Sequence, residues 1–210
     1  MSTRATTPHA GALPGAARLA EKAAALPRMR ITVLAGGPSA EREVSLESGR
    51  AVAAALQQRG HTVTLSDIRP EDLSPLSHPT DVIFSVLHGT WGEDGALQKI
   101  MDDHGLTYVG SGPVAAGRAM DKWLTKCEAT ELGLRTAAAE VWTADQAMQP
   151  RLPAFGLPLV VKPVDQGSSV ATFIVRTLEE FPPAVRTVTQ QFGRALVERF
   201  VAGREITIGL

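Results

Sequence analysis

The sequence predicts an α/β domain on a mostly parallel sheet, followed by an α+β segment built on antiparallel hairpins. Three observations predict this. Residues 30–110 alternate short apolar runs with segments of helical periodicity in the order β-α-β-β-α-β. The run 81–87 is nearly all apolar, as in a parallel strand covered on both faces. From residue 157 onward, strands follow one another across short turns, a hairpin pattern. Bulk composition agrees. The chain has 210 residues, 44% apolar and 20% charged, close to a soluble globular average for one or two domains. This excludes a disordered tail, a collagen-like repeat and a disulfide-stapled miniprotein. No run approaches the ~18 apolar residues of a membrane span. The net charge of −1 supplies no basic field for nucleic acid or an anionic membrane. The single cysteine, Cys127, has no internal partner, which fits a reducing cytoplasm.

Residues 1–28 stand apart. Arg4, Arg18, Lys22 and Arg28 face one acid, Glu21, a net of +3; the chain total of −1 leaves −4 for the rest. A flexible extension is expected there. A basic transit peptide, or a true start at Met29, would give the same composition.

The elements follow in order. Residues 30–35 form a buried strand ending at Gly36-Gly37. Val44, Leu46, Val52, Ala55 and Leu56 recur at helical spacing and stop at Gly60. Strands are expected at 61–65, 81–87 and 107–109, with a helix through Leu97, Ile100 and Met101 that ends at Gly105. One long helix is expected over 113–132, a strand over 136–142, and loop over 143–157. Strands at 157–163 and 170–175 flank a polar turn, and Thr177 with Glu180 reads as a capping box. Strands are expected at 194–201 and 204–210. The expected organisation is an extension over 1–28, an α/β substrate-binding domain over 29–112, and a second unit over 113–210.

Five stretches carry chemistry. The loop from Gly36 to Ser45 lies at the carboxyl end of a parallel strand, where open α/β sheets bind ligands. Its acids disfavour phosphate and suit an ammonium group; equally, Glu41 and Glu43 complement a helix dipole. The loop from His88 to Gly95 lies on the same sheet edge. There His88, directly after a buried strand, reads either as facing ligand or as part of a capped turn, while Glu93 and Asp94 suit capping of the next helix. Lys162, ending an apolar strand before Gly167-Ser168-Ser169, needs an anion if buried, and the turn offers amides and hydroxyls like a phosphate-covering loop. A surface hairpin is the plainer alternative. Met120-Asp121-Lys122 lies within the long helix, where Lys122 alone reads as solvated. Glu198 and Glu205 flank an apolar strand and suit nucleotide amino and hydroxyl groups, or simply solvation of strand ends. Cys127 reads as a small core residue, and Trp91, Trp123 and Trp142 as core or rim.

The order and spacing of these motifs resemble the D-alanine–D-alanine ligase family. Gly-Gly-Pro-Ser-Ala-Glu-Arg-Glu-Val-Ser is followed by Leu-His-Gly-x-x-Gly-Glu-Asp-Gly, Gly-Ser-Gly at 110–112 and Met-Asp-Lys. Val-Lys-Pro-x-x-x-Gly-Ser-Ser-Val and Glu-Arg-Phe-Val come next, so the resemblance spans 30–210. It implies an open Rossmann-like domain preceding an incomplete ATP-grasp domain. It implies a reaction for cell-wall peptidoglycan synthesis in which ATP phosphorylates one D-alanine carboxylate and the amine of a second D-alanine attacks the acyl phosphate. By the resemblance Glu41 holds the first ammonium, His88 lies near the first carboxylate, and Ser168 bonds Glu41 and sets the covering loop. Lys122, Lys162 and Ser169 meet ATP phosphates. Glu198 with the backbone of Arg199 and Val201 holds adenine, and Glu205 holds ribose. No metal ligand is expected in this chain, because the family's magnesium ligands lie beyond Ile-Thr-Ile-Gly-Leu. So do its lid tyrosine and transition-state arginine. The resemblance therefore implies N-terminal and central portions only, inactive alone. A non-catalytic D-alanine or nucleotide-binding remnant and a D-alanine–D-lactate type ligase are the alternatives. A homodimer, a cytoplasmic location, and no nucleic-acid or membrane partner are implied as well. The chain departs from the family at Ala171, commonly glycine, and in the bulk of Trp91.

Overall fold

A computed structural model describes residues 27–206. Most of the N-terminal extension and the end of the strand expected over 204–210 lie outside the described residues. The first sheet has three parallel strands, β1 (Arg30–Gly36), β2 (Thr62–Ile68) and β3 (Val82–Ser85), in the order β2-β1-β3. The central strand β1 is buried from Ile31 to Gly36, which is why its sequence is almost unbroken in apolar residues. Residues 107–109 were expected as a fourth strand; they reach the sheet only as a single parallel bridge, Tyr108 to Ile83.

Helix α1 (Arg42–Gln58) lies on this sheet and packs closely through Gly49. A β-carbon there would sit 2.6 Å from Ala35 Cβ. On the other face, α2 (Ala96–Asp103) buries Leu97 and Met101 with Leu34, Ile68, Ile83 and Leu87.

The helix expected over 113–132 is two helices, α3 (Pro113–Met120) and α4 (Lys122–Glu131). Asp121 breaks it. Its backbone is extended (φ −79°, ψ 106°), and its carboxylate accepts from Trp123 N at 2.9 Å and Leu124 N at 3.0 Å. An aspartate that can cap competes with helix continuation by binding the backbone amides ahead of it.

The second sheet has four antiparallel strands in the order β4-β7-β5-β6: β4 (Ala139–Thr143), β5 (Leu159–Pro163), β6 (Phe173–Val175) and β7 (Arg194–Arg199). One face is covered by α5 (Ala144–Met148) and α6 (Phe181–Phe192). The core holds Leu159, Val161, Val185, Val188 and Val197, with Trp142 edge-on to Phe181 at 5.5 Å. Helix α5 falls inside the stretch expected to be loop, and a Thr143–Gln146 capping box starts it.

Helix α6 begins at Phe181, so Pro182 and Pro183 fall in its first turn, where a missing N–H removes no helical bond. Three other expectations shift. Only half of the Thr177 capping box forms: Glu180 accepts from Thr177 N at 3.2 Å and from Arg176 N at 2.7 Å. Strand β6 is shorter than 170–175 because Ser168, Ser169 and Ala171 take φ of +49°, +58° and +48°. Such left-handed backbone is incompatible with a ladder, and Ala171 occupies a conformation that favours glycine. Strand β7 ends at Arg199, so Val201 lies beyond it, and no strand forms over 204–206.

Candidate functional site

The contact residues expected from the sequence fall into two groups. The first lies at the carboxyl edge of the parallel sheet. Ser45, fully buried on α1, fastens this edge: its Oγ accepts from Gly36 N at 2.9 Å and donates to Val86 O at 2.7 Å. One side chain thus ties the first loop to the strand that enters the second. Glu41 is the residue preceding α1, yet its carboxylate makes no capping bond to the helix. It turns instead toward the second loop and the second sheet. A β-carbon built on Gly89 would stand 3.4 Å from Glu41 Oε2, and Gly89 takes φ +70°. Ser168 Oγ donates to Glu41 Oε1 across 127 residues of sequence.

Glu93 and Asp94 brace the second loop. Glu93 accepts from Gly89 N at 2.7 Å; Asp94 accepts from Trp91 N at 2.7 Å and Ala96 N at 3.0 Å. Trp91 takes φ +69° and packs against the Leu34–Leu97 core, so its bulk anchors the loop inward. In this fixed loop His88 Nε2 is buried with no hydrogen-bond partner among the described residues. A buried nitrogen of that kind is costly unless something meets it.

The second group lines a cleft of about 240 Å³ between α4 and the open face of the second sheet. Strand period places it there. Leu159, Val161 and Pro163 point to the helices, so Val160 and Lys162 point away. Glu198 pairs opposite Val160, which makes Lys162 and Glu198 diagonal neighbours on the open face. Lys162 Nζ donates to Glu198 Oε1, and Lys126 Nζ donates to Glu198 Oε2 at 3.0 Å. Lys122 Nζ donates to the carbonyls of Gln166 and, at 3.4 Å, Val164. Those carbonyls belong to the turn that carries Ser168. Burial lowers the pKa of Lys122, helped by the charge of Lys162 and opposed by nearby acids. Burial would raise the Glu198 carboxyl, but hydrogen bonds from Lys162 and Lys126 outweigh it and hold the group below the usual range.

The remaining expected residues are less engaged. Ser169 is exposed beside Ser168. The Arg199 N–H donates to Ala138 O at 2.8 Å, so the adenine contact expected of its backbone would fall to its carbonyl. Val201 and Glu205 are exposed. Lys126 is the addition to the expected set; it stands one helical turn after Lys122, the signal by which the sequence places both on one face. A larger cavity, about 460 Å³, is lined by Ser85, Leu87, Glu93, Gln98, Ser111 and Met120 and contains none of the expected contact residues. Among the described residues no three His, Cys, Asp or Glu side chains gather as a metal site. No described helix is long and apolar enough to cross a membrane.

Two family models match the chain: "D-ala D-ala ligase N-terminus" over residues 66–111 and "D-ala D-ala ligase C-terminus" over 133–210. A D-alanine–D-alanine ligase of Gloeobacter violaceus is 45% identical over 186 residues, covering 87% of this chain and 62% of the relative. One from Moorella thermoacetica is 42% identical over 187 residues, covering 85% and 60%. The chain thus spans about 60% of the length of these curated relatives. Among solved structures, D-alanyl-alanine synthetase A from Vibrio cholerae matches with a TM-score of 0.72 at 26% identity, over 85% of this chain and 61% of that one. The Bacillus anthracis D-alanine–D-alanine ligase complexed with ATP matches with 0.70 at 28%, over 83% and 60%. A parallel sheet whose carboxyl edge carries Glu41, an antiparallel sheet with a lysine-lined cleft, and matches of both family models place this chain in the D-alanine–D-alanine ligase family, with the ATP-grasp architecture.

Proposed function

We propose that residues 29–112 and 113–210 are the first-substrate domain and the first part of the ATP-grasp domain of a D-alanine–D-alanine ligase. The hydrogen bond from Ser168 to Glu41 carries this reading. It joins the turn that follows Lys162 to the acid at the first sheet's ligand edge, so the two groups work as one site. ATP would transfer its γ-phosphoryl group to the carboxylate of one D-alanine. The amine of a second would attack the acyl carbon and release phosphate, leaving D-alanyl-D-alanine and ADP.

This chain's residues contribute binding and electrostatics. Glu41 pairs with the first D-alanine's ammonium in a half-buried position. His88 Nε2, the unpartnered buried nitrogen, meets its carboxylate. Lys122 and Lys162 neutralise phosphate charge, the main task in phosphoryl transfer, and Ser169 adds a hydroxyl. Glu198 accepts from the adenine amino group, with the Val201 backbone beside it and Glu205 toward the ribose. Magnesium does not fit the described residues, which bring together no acidic ligand set. A cytoplasmic homodimer belongs to the same reading.

Calorimetry of the 210-residue chain tests it. ATP should bind and K122M or K162M should abolish measurable heat, with E41Q leaving ATP binding intact and weakening D-alanine binding. A folded chain that binds neither ligand would refute the assignment.

A further inference from the structure

Lys162 has two claims on its charge. It is held by Glu198, whose side chain is only 14% exposed, yet the nucleotide reading requires the same ammonium to meet phosphate. Drawing Lys162 away would leave a largely buried carboxylate without its counterion, which is strongly unfavourable. The structure supplies a substitute. Lys126, 13% exposed, already donates to the other oxygen of Glu198 at 3.0 Å, and Thr136 Oγ1 holds the same ammonium at 2.7 Å. Lys126 thus has its own anchor outside the cleft and need not move when Lys162 does.

We infer that Lys126 is a positioning residue: it keeps Glu198 charged, paired and oriented, so that Lys162 can pass from Glu198 to a polyphosphate. It acts through Glu198 and does not itself touch phosphate. The inference rests on the nucleotide assignment above. It predicts coupling of an unusual kind, in which removing a lysine weakens phosphate binding only while Glu198 is present.

The test is a double-mutant cycle on the full 210-residue chain, titrated with ATP, ITP and inorganic tripolyphosphate. K126M should weaken tripolyphosphate binding about tenfold, because Lys162 is then the sole partner of Glu198. In an E198Q background the same substitution should change it no more than about twofold, the residue of a general charge effect. K126M should also shrink the preference for ATP over ITP, since a loosened Glu198 no longer presents an acceptor to a 6-amino group; K126R should restore it. T136V, which keeps the lysine and removes its anchor, should move both readouts in the same direction by less, and serves if K126M fails to fold. Equal losses from K126M with and without Glu198 would mean direct phosphate contact and overturn the inference. So would wild-type behaviour of K126M and T136V. If the folded wild type binds ATP and tripolyphosphate while the cycle shows no coupling, only the role of Lys126 falls; if it binds neither, the nucleotide assignment falls with it.

Discussion

Asp121 decides where one helix stops and the helix bearing two cleft lysines starts, so its removal has a magnitude the structure sets. The carboxylate is nearly buried and holds three donors: Trp123 N at 2.9 Å, Leu124 N at 3.0 Å and Arg194 Nη2 at 2.8 Å. Loss of an N-cap aspartate to alanine costs about 1 kcal/mol, and up to about 2 where the cap is well formed. The pair with Arg194 adds about 0.5 kcal/mol, since Arg194 is 46% exposed and solvent screens it. Asp121→Ala should therefore destabilise the chain by about 2 kcal/mol in urea denaturation with an unchanged slope. Asp121→Asn keeps the capping acceptor and loses only the charge, so about 0.5 kcal/mol is expected. ATP affinity should fall in the alanine variant and hold in the asparagine one, because Lys122 lies in the first turn that the cap fixes. Equal destabilisation by both substitutions would refute the argument, for it would make the ion pair, not the cap, the interaction that shapes this segment.

Other perturbations read other links. Ser45→Ala strips partners from Gly36 N and Val86 O at a fully buried position, and should cost about 2–3 kcal/mol in denaturation, with weaker D-alanine binding as the two loops loosen. Gly49→Ala places a β-carbon 2.6 Å from Ala35 Cβ and should destabilise by about 1–3 kcal/mol through overpacking. Acid titration should show a carboxylate-dependent loss. The pKa values of Asp67, Asp121 and Glu198 lie below their unfolded ones. Their stabilisation is complete above the unfolded value of about 4 and disappears as pH falls through the folded values. Asp121→Asn with Glu198→Gln should flatten that limb of the stability curve, measured by thermal melts from pH 6 to 3.

The sequence carries the first sheet clearly and the site only in pieces. The unbroken apolar run of 31–35 signals a central parallel strand because both of its faces are covered, and it is buried throughout. Strand 107–109 is too short for periodicity to separate a true ladder from one bridge. The division of 113–132 has a local signal, an aspartate directly before Lys-Trp-Leu, but helix-favouring residues on both sides mask it. The turn at 168–171 has no such signal. Left-handed conformations usually announce themselves through glycine, and here two serines and an alanine adopt them. Lys126 is legible as the i+4 neighbour of Lys122, whereas its partner Glu198 lies 72 residues away. The Ser168–Glu41 bond joins two different sheets, and no local pattern encodes such a contact. Only the resemblance to a ligase family connects those residues before the fold is known.

The identity of the residue at that junction matters electrostatically. The cleft is lined by three lysines and one glutamate and is suited to a polyanion. The first sheet's edge presents Glu41 and is suited to a cation. Any charged residue at position 168 would disturb one of the two: a lysine would neutralise Glu41 and compete with a substrate ammonium, and an aspartate would repel both Glu41 and a phosphate. A serine hydroxyl donates to the carboxylate without cancelling its charge, so it ties the covering turn to the acid while Glu41 can still accept from an ammonium. The left-handed backbone at 168 and 169 has a place in the same logic. Such strain persists only where surrounding contacts hold it. Here the carbonyl of Gln166 is held by Lys122, and the Ser168 side chain is held by Glu41. The turn is therefore fastened at one end by Lys122 of the lysine-lined cleft and at the other by Glu41 of the first sheet's carboxyl edge.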